Sequence, residues 1–371
     1  MFPYIIDVAL TAWVSSAIVN RYDYNGIAQY QNRRKKIMLL GLILFVWVLL
    51  FAFRGTTGGD ASVYRYGYKH VFLNQLSLSD CFNEYRDKLY QVLVYFCGRF
   101  SQGSWVFMCF VTGILIYTPI IIVIAKKSDD YNMSCLLFIF LMCAYFPFNG
   151  TRQGLAISFA VLAYYLGLKD KKILRYALLM LVAYGFHASV LLIIPFHLLS
   201  LKKLKSISTF VLVIALFVVS FFLNNVWGNV IDAFSGDQVV SKYDNIFVES
   251  EGSSVIRVIF WLAPVVFALM NYSKYDEEIR KEMDSDILLT VFAAVFLLYS
   301  TQSVSFSQMA QYFTVSSVIL IPRVIRYIHP EKKNITKYLI LFFSFIYMLL
   351  ILLRGSLNII PYVPVWESGM Y

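Results

Sequence analysis

The feature that most constrains this chain is a series of long, unbroken apolar runs separated by short basic stretches. A run such as ILLTVFAAVFLLYS at 287–300 shows no alternation of apolar and polar residues. The hydrocarbon core of a bilayer offers no partner to backbone N–H and C=O groups, so only helices and closed barrels cross it. Barrel strands alternate their polarity, so these runs predict helices. The composition agrees: 59% of residues are hydrophobic and 15% are charged, against about 25% charged in a soluble domain. Mean hydropathy is +0.66. Aromatic residues reach 18%, with 32 Phe and 27 Tyr, and Tyr and Trp favour the headgroup zone. The expected class is all-α, a polytopic integral membrane protein with a single membrane domain over 1–371.

A span needs about 20 mostly apolar residues. Spans are expected at 3–20, 37–53, 104–125, 133–149, 154–168, 207–223, 255–271, 286–300, 308–322 and 337–353. Residues 88–100 (KLYQVLVYFCGRF) are short and charged towards both ends, which predicts an interfacial or partly inserted helix. Residues 173–200 are long but interrupted by Gly185, His187 and Pro195, which predicts a re-entrant helical hairpin. With that hairpin, the basic clusters at 21–36, 126–127, 169–175, 202–205, 274–281 and 323–337 fall on one side. The positive-inside rule makes that side cytoplasmic. The expectation is therefore about ten transmembrane helices plus one hairpin, with both termini outside. The longer loops, 54–103 and 224–254, then face outward. No internal duplication of the hydropathy pattern is visible, which disfavours an inverted-repeat transporter.

The net charge of +10 does not point to nucleic acid, because the basic residues lie between apolar runs. The N-terminus, MFPYIIDVAL, has no basic start and carries Asp7, which argues against a cleaved signal peptide. The five cysteines lack C-x-x-C spacing and read as buried free thiols. No P-loop, G-x-G-x-x-G, H-E-x-x-H or G-x-S-x-G motif occurs. Asp284-Ser285-Asp286 resembles a metal-binding D-x-D, but its setting, DEEIRKEMDSD, reads as a solvated acidic loop. No outward carboxylate cluster has ligand spacing, so neither a metal nor another cofactor is expected.

Three constellations carry possible chemistry. The first is RGTTGGD at 54–60, followed by Tyr64 and Tyr68. Arg54 could fork a phosphate, or simply anchor the interface. Asp60 could take a proton from a sugar hydroxyl, or cap a loop. Tyr64 and Tyr68 share a helical face with Asp60 and could stack on sugar rings. The second is FNGTRQGLAISFA at 148–160, where Arg152 and Gln153 sit at a helix start. Unpaired N–H groups, the helix dipole and the Arg charge suit an anion there. The third is YGFHAS at 184–189, with His187 near membrane depth. An ionisable group there is costly and is a functional hypothesis by default. His187 could be a general base or a phosphate donor, or a neutral imidazole bonded at the kink. Secondary candidates are Arg257, Gln308, Gln311 and Tyr312, with Arg354, Asn358 and the tail PYVPVWE.

Together these features resemble the EpsG family of bacterial Wzy-type polysaccharide polymerases. The matching features are Arg54 with Gly59-Asp60 and Tyr64, Arg152 at a helix start, Phe186-His187-x-Ser189, and the late Asn358…Pro361-Tyr362. One departure is the late QMAQYF at 308–313, which lacks the Arg often found before the Tyr-Phe. The resemblance implies a multi-pass protein of the bacterial cytoplasmic membrane with its active site facing outside. It implies polymerisation of oligosaccharide repeat units carried on undecaprenyl diphosphate, in exopolysaccharide or capsule synthesis. Undecaprenyl diphosphate leaves, and neither nucleotide sugar nor ATP is used. Arg152, Asp60 and His187 are then the catalytic candidates, and Arg54, Tyr64, Tyr68, Gln153, Arg257 and Tyr312 the substrate-binding ones. Implied partners are the lipid-linked oligosaccharide, membrane lipid, a chain-length regulator and a flippase. A lipid-linked oligosaccharide flippase and an outer-leaflet glycosyltransferase using a polyprenyl-phosphate sugar stay open as alternatives.

Overall fold

The computed structural model describes residues 1–20, 33–84, 87–201, 255–300, 304–328 and 330–368. Among the described residues the elements are helical, and the one β-contact is an isolated bridge between Arg54 and Pro364. Three helices are long and apolar enough to cross a membrane: Arg33–Ala52, Trp105–Lys127 and Glu331–Leu353. Shorter apolar helices accompany them, and together these mark an all-α membrane protein. The expected span at 207–223, the outer loop at 224–254 and His329 lie outside the described residues.

The chain divides into two compact units. One comprises Met1–Leu191 with Ile328–Tyr371. Its helices are α1 (Phe2–Ser16), α2 (Arg33–Ala52), α3 (Ala61–Leu73), α4 (Leu78–Glu84), α5 (Lys88–Ser101), α6 (Trp105–Lys127), α7 (Tyr131–Phe140), α8 (Phe146–Asn149), α9 (Thr151–Ala163) and α10 (Ile173–Phe186). Helix α2 packs on α1 and α6, α6 on α9, and α9 on α10. Helices α3, α4 and α10 pack on α5, the helix expected at 88–100. An aromatic core of Trp47, Phe51, Tyr117, Phe138, Tyr145 and Phe148 joins α2, α6, α7 and α8 by ring contacts of 5.0–6.4 Å. Burial of such rings supplies much of the packing energy.

The predicted span at 133–149 is broken. Helix α7 ends at Phe140, Met142 takes a positive φ of 64°, and α8 restarts at Phe146. Pro147 explains the restart, because proline has no N–H and suits only a first helical turn. The interruption expected in 173–200 falls at His187, whose extended backbone (φ −163°, ψ 121°) ends α10. A 3-10 segment, Ala188–Ile193, follows.

The second unit, Leu192–Tyr327, contains α11 (Ile194–Leu199), α12 (Val255–Met270), α13 (Glu277–Tyr299) and α14 (Val304–Arg326). The last helix of the chain, α15 (Pro330–Leu353), belongs to the first unit and packs on α7. In the second unit α13 packs against α12 and α14. The acidic tripeptide 284–286 is not a solvated loop: it lies inside α13, and all three residues are buried. Asp286 pairs with Arg323 of α14 at 2.7 Å. Asp284 accepts from the Tyr272 hydroxyl at 2.5 Å. A carboxylate in such a place is costly unless paired, and these two are paired. All five cysteines are free and buried.

Candidate active site

Residues 53–60 leave α2 and are held against the C-terminal segment. Gly55 N–H donates to Val363 O at 2.8 Å, and Val365 N–H donates to Phe53 O at 2.9 Å. Thr57 and Val363 exchange a further pair of bonds. Gly58 N–H donates to Asn358 O at 3.0 Å, a further backbone bond between the early loop and the late segment. Arg54 is fully buried. Its guanidinium donates to Pro147 O (3.1 Å), Phe148 O (2.7 Å) and Thr151 Oγ1 (2.7 Å). It also lies 3.9 Å from the Phe51 ring centroid. The fork is thus occupied by the turn that starts α9, and Arg54 is not displayed to a phosphate. It fixes the turn from which Arg152 emerges.

Gly58 makes this approach possible. Its φ is +105°, and a Cβ there would lie 2.2 Å from Phe148 O. Only glycine fits. Asp60 follows at the N-cap of α3, but its carboxylate makes no cap bond. The residue is exposed. Its N–H donates to Asn149 Oδ1 at 3.1 Å, which ties the start of α3 to the end of α8.

Arg152, in the first turn of α9, donates from Nη1 to Asp87 Oδ2 at 2.6 Å. His187 Nδ1 lies 3.7 Å from the same oxygen. The Arg152 guanidinium also sits 5.5 Å from the Tyr64 ring centroid, and Tyr64 meets Tyr90 edge-on at 6.0 Å. Three helices and the end of a fourth therefore converge: α3 brings Tyr64, α5 brings Asp87 and Tyr90, α9 brings Arg152 and α10 ends at His187. The Arg152 side chain is 37% exposed and that of Asp87 7%, while that of His187 is 31% exposed. The cation and the imidazole are reachable, and the carboxylate between them is not. Such a cluster offers a tethered cation, a titratable ring and an aromatic face.

Asp87 escaped the sequence reading. It precedes α5, where an aspartate ordinarily reads as a cap. Its side chain makes no such bond and turns to Arg152 instead. The amphipathic helix that follows was its one signal. Other expected residues lie elsewhere. Tyr68 is buried, with its hydroxyl 3.0 Å from Ser101 Oγ and donating to Ser104 O at 3.2 Å. Burial holds its phenol up at about 12. It is a core residue and offers no face to a sugar. Gln153 is buried within α9. Arg257 lies in the first turn of α12, and Tyr312 is buried in α14; both belong to the second unit. Among the described residues no group of three or more His, Cys, Asp or Glu could hold a metal ion.

The family model described as EpsG family matches residues 36–363. The chain belongs to the EpsG family. No curated protein and no solved structure matches it. The EpsG match takes in every residue of the cluster, from the Arg54 loop through Asp87, Arg152 and His187 to Asn358. EpsG membership suggests a membrane protein of polysaccharide biosynthesis.

Proposed function

We propose that this protein is a polymerase of the bacterial cytoplasmic membrane that joins undecaprenyl-diphosphate-linked repeat units at the outer leaflet. The single observation behind this reading is the cluster of Arg152, His187 and Asp87 at the start of α9 and the end of α10. An acceptor hydroxyl oxygen attacks the anomeric carbon of the donor chain. The bond from that carbon to the diphosphate oxygen breaks, and the hydroxyl proton passes to a base. The leaving diphosphate gathers negative charge, which preorganised cations and N–H donors stabilise. Arg152 and the first turn of α9 supply both. His187 is the base, with its Nδ1 3.7 Å from the carboxylate that holds Arg152. Asp60, exposed at the start of α3, accepts from sugar hydroxyls, and the Tyr64 ring gives a sugar a face to rest on. Arg54 acts by positioning the α9 turn. A flippase reading would ask for a polar path across the membrane, whereas this cluster is local.

The test is the fate of the repeat unit in a deletion strain. Single lipid-linked units should collect at the outer face without polymer, and the native gene should restore polymer. Units trapped on the inner leaflet would turn the reading towards a flippase. Unchanged polymer would remove the protein from polymerisation.

A further inference from the structure

One carboxylate stands between two groups carried by different helices. Asp87 Oδ2 is 2.6 Å from Arg152 Nη1, a charge-assisted bond, and 3.7 Å from His187 Nδ1, too long for a hydrogen bond. That Nδ1 is buried without a hydrogen-bond partner, a state that ordinarily costs free energy. Because the side chain as a whole is 31% exposed, the exposed part of the ring lies away from Nδ1. Gly185 explains how the two helices come this close. A Cβ there would lie 2.8 Å from Leu89 Cβ, so its absence lets α5 rest directly on the end of α10.

We propose that Asp87 is a positioning residue that changes partner: it holds Arg152 while the anion site is empty, and passes to His187 Nδ1 when a phosphate group takes Arg152. The inference rests on the reading of this site as a diphosphate site and names its internal control. A phosphate engages the planar donors of Arg152 in pairs. Asp87 is then a buried carboxylate without its cation, which is strongly unfavourable. His187 Nδ1 stands about 1 Å beyond bonding distance from it. A carboxylate on Nδ1–H fixes the tautomer with its lone pair on Nε2 and makes that nitrogen more basic. The base is thereby prepared when the donor is bound, and an empty site does not offer a basic imidazole to water. Among the described residues, the charged and titratable groups that meet in this cluster with His187 are Asp87 and Tyr90 from α5, Arg152 from α9 and Tyr64 from α3. Of these, Asp87 alone is a carboxylate.

The experiment uses the full chain in nanodiscs with isotope-labelled histidine and inorganic pyrophosphate as the probe. The chain has four histidines, and His187→Gln identifies the signal. Pyrophosphate should shift the His187 Nδ1 signal to the protonated, hydrogen-bonded form. Asp87→Asn should remove most of that shift while pyrophosphate still binds, and Asp87→Glu should restore part of it. An equal shift in Asp87→Asn overturns the exchange of partners. So does an unmoved Nδ1 signal in the native protein with pyrophosphate bound, and that measurement needs no variant. Failure of pyrophosphate to bind at all would sink the diphosphate reading together with this one.

Discussion

Arg54 donates to the carbonyl oxygen of Phe148 at 2.7 Å, and that same oxygen would stand 2.2 Å from any Cβ added to Gly58. One carbonyl therefore receives a buried cation and closes over a glycine. The early loop and the turn before α9 are locked together at this point, 94 residues apart in sequence.

Gly58→Ala should unseat that contact. Alanine at φ +105° is strained, and the clash is with backbone, which cannot rotate away. The expected loss is at least about 2 kcal/mol. Thermal unfolding of the purified protein in detergent would show it as a clearly lowered midpoint; a midpoint within one degree of the native value would mean that the loop does not meet Phe148 this way.

Arg54→Ala should behave as a structural lesion. It takes the cation from the Phe148 carbonyl and leaves Pro147 O and Thr151 Oγ1 to each other, and it should cost on the order of 3 kcal/mol. Arg54→Lys should recover little, since an ammonium cannot reproduce the fork. Intact stability with lost pyrophosphate binding would instead make Arg54 a direct ligand.

Arg152→Ala should slow polymer formation on the order of 100- to 1,000-fold, and because it takes the cation from buried Asp87 it should also lower stability. The readout is the size distribution of lipid-linked glycans in a deletion strain at matched protein levels. Normal long polymer would remove Arg152 from the mechanism.

In the second unit, Arg323→Met alone should destabilise by about 3–5 kcal/mol, since it takes the cation from the buried Asp286 carboxylate. Combining it with Asp286→Leu should restore most of the loss. If the double variant is as unstable as the single one, the pair does more than neutralise itself.

The short helix α4 should open in acid. Ser77 donates from its hydroxyl (2.6 Å) and its N–H (2.9 Å) to Asp80 Oδ2, and these bonds hold the Asp80 carboxyl below the ordinary carboxylate range. Its folded pKa is below its unfolded pKa, so the stabilisation is present above the unfolded value and lost as pH falls through the folded one. Hydrogen-exchange protection of 77–84 should fall in that window, and Ser77→Ala should flatten the dependence. Protection that stays constant from neutral to acid pH would rule these bonds out as the cause.

Much of the helix plan was legible in the chain. A bilayer forces each span to satisfy its own backbone, so a span must show itself as a local apolar run. The helices near 37–53, 104–125 and 337–353 are examples, and α2, α6 and α15 stand there. His187 was legible for a similar reason, as an ionisable group where the run breaks. Arg152 at the start of α9 was legible as well, because a cation at a helix start is a sequence pattern.

What the sequence could not decide is which side chain meets which. Arg54 looked like a phosphate ligand, but the carbonyls that occupy it come from another helix turn. The acids at 284–286 looked solvated, because the Arg323 that neutralises Asp286 lies on a different helix. Asp87 drew no notice in the sequence and became the link between Arg152 and His187. Backbone satisfaction is local and leaves a periodic trace in the sequence. The satisfaction of a buried charge is long-range, and only the packing of α5, α9 and α10 brings those three residues together.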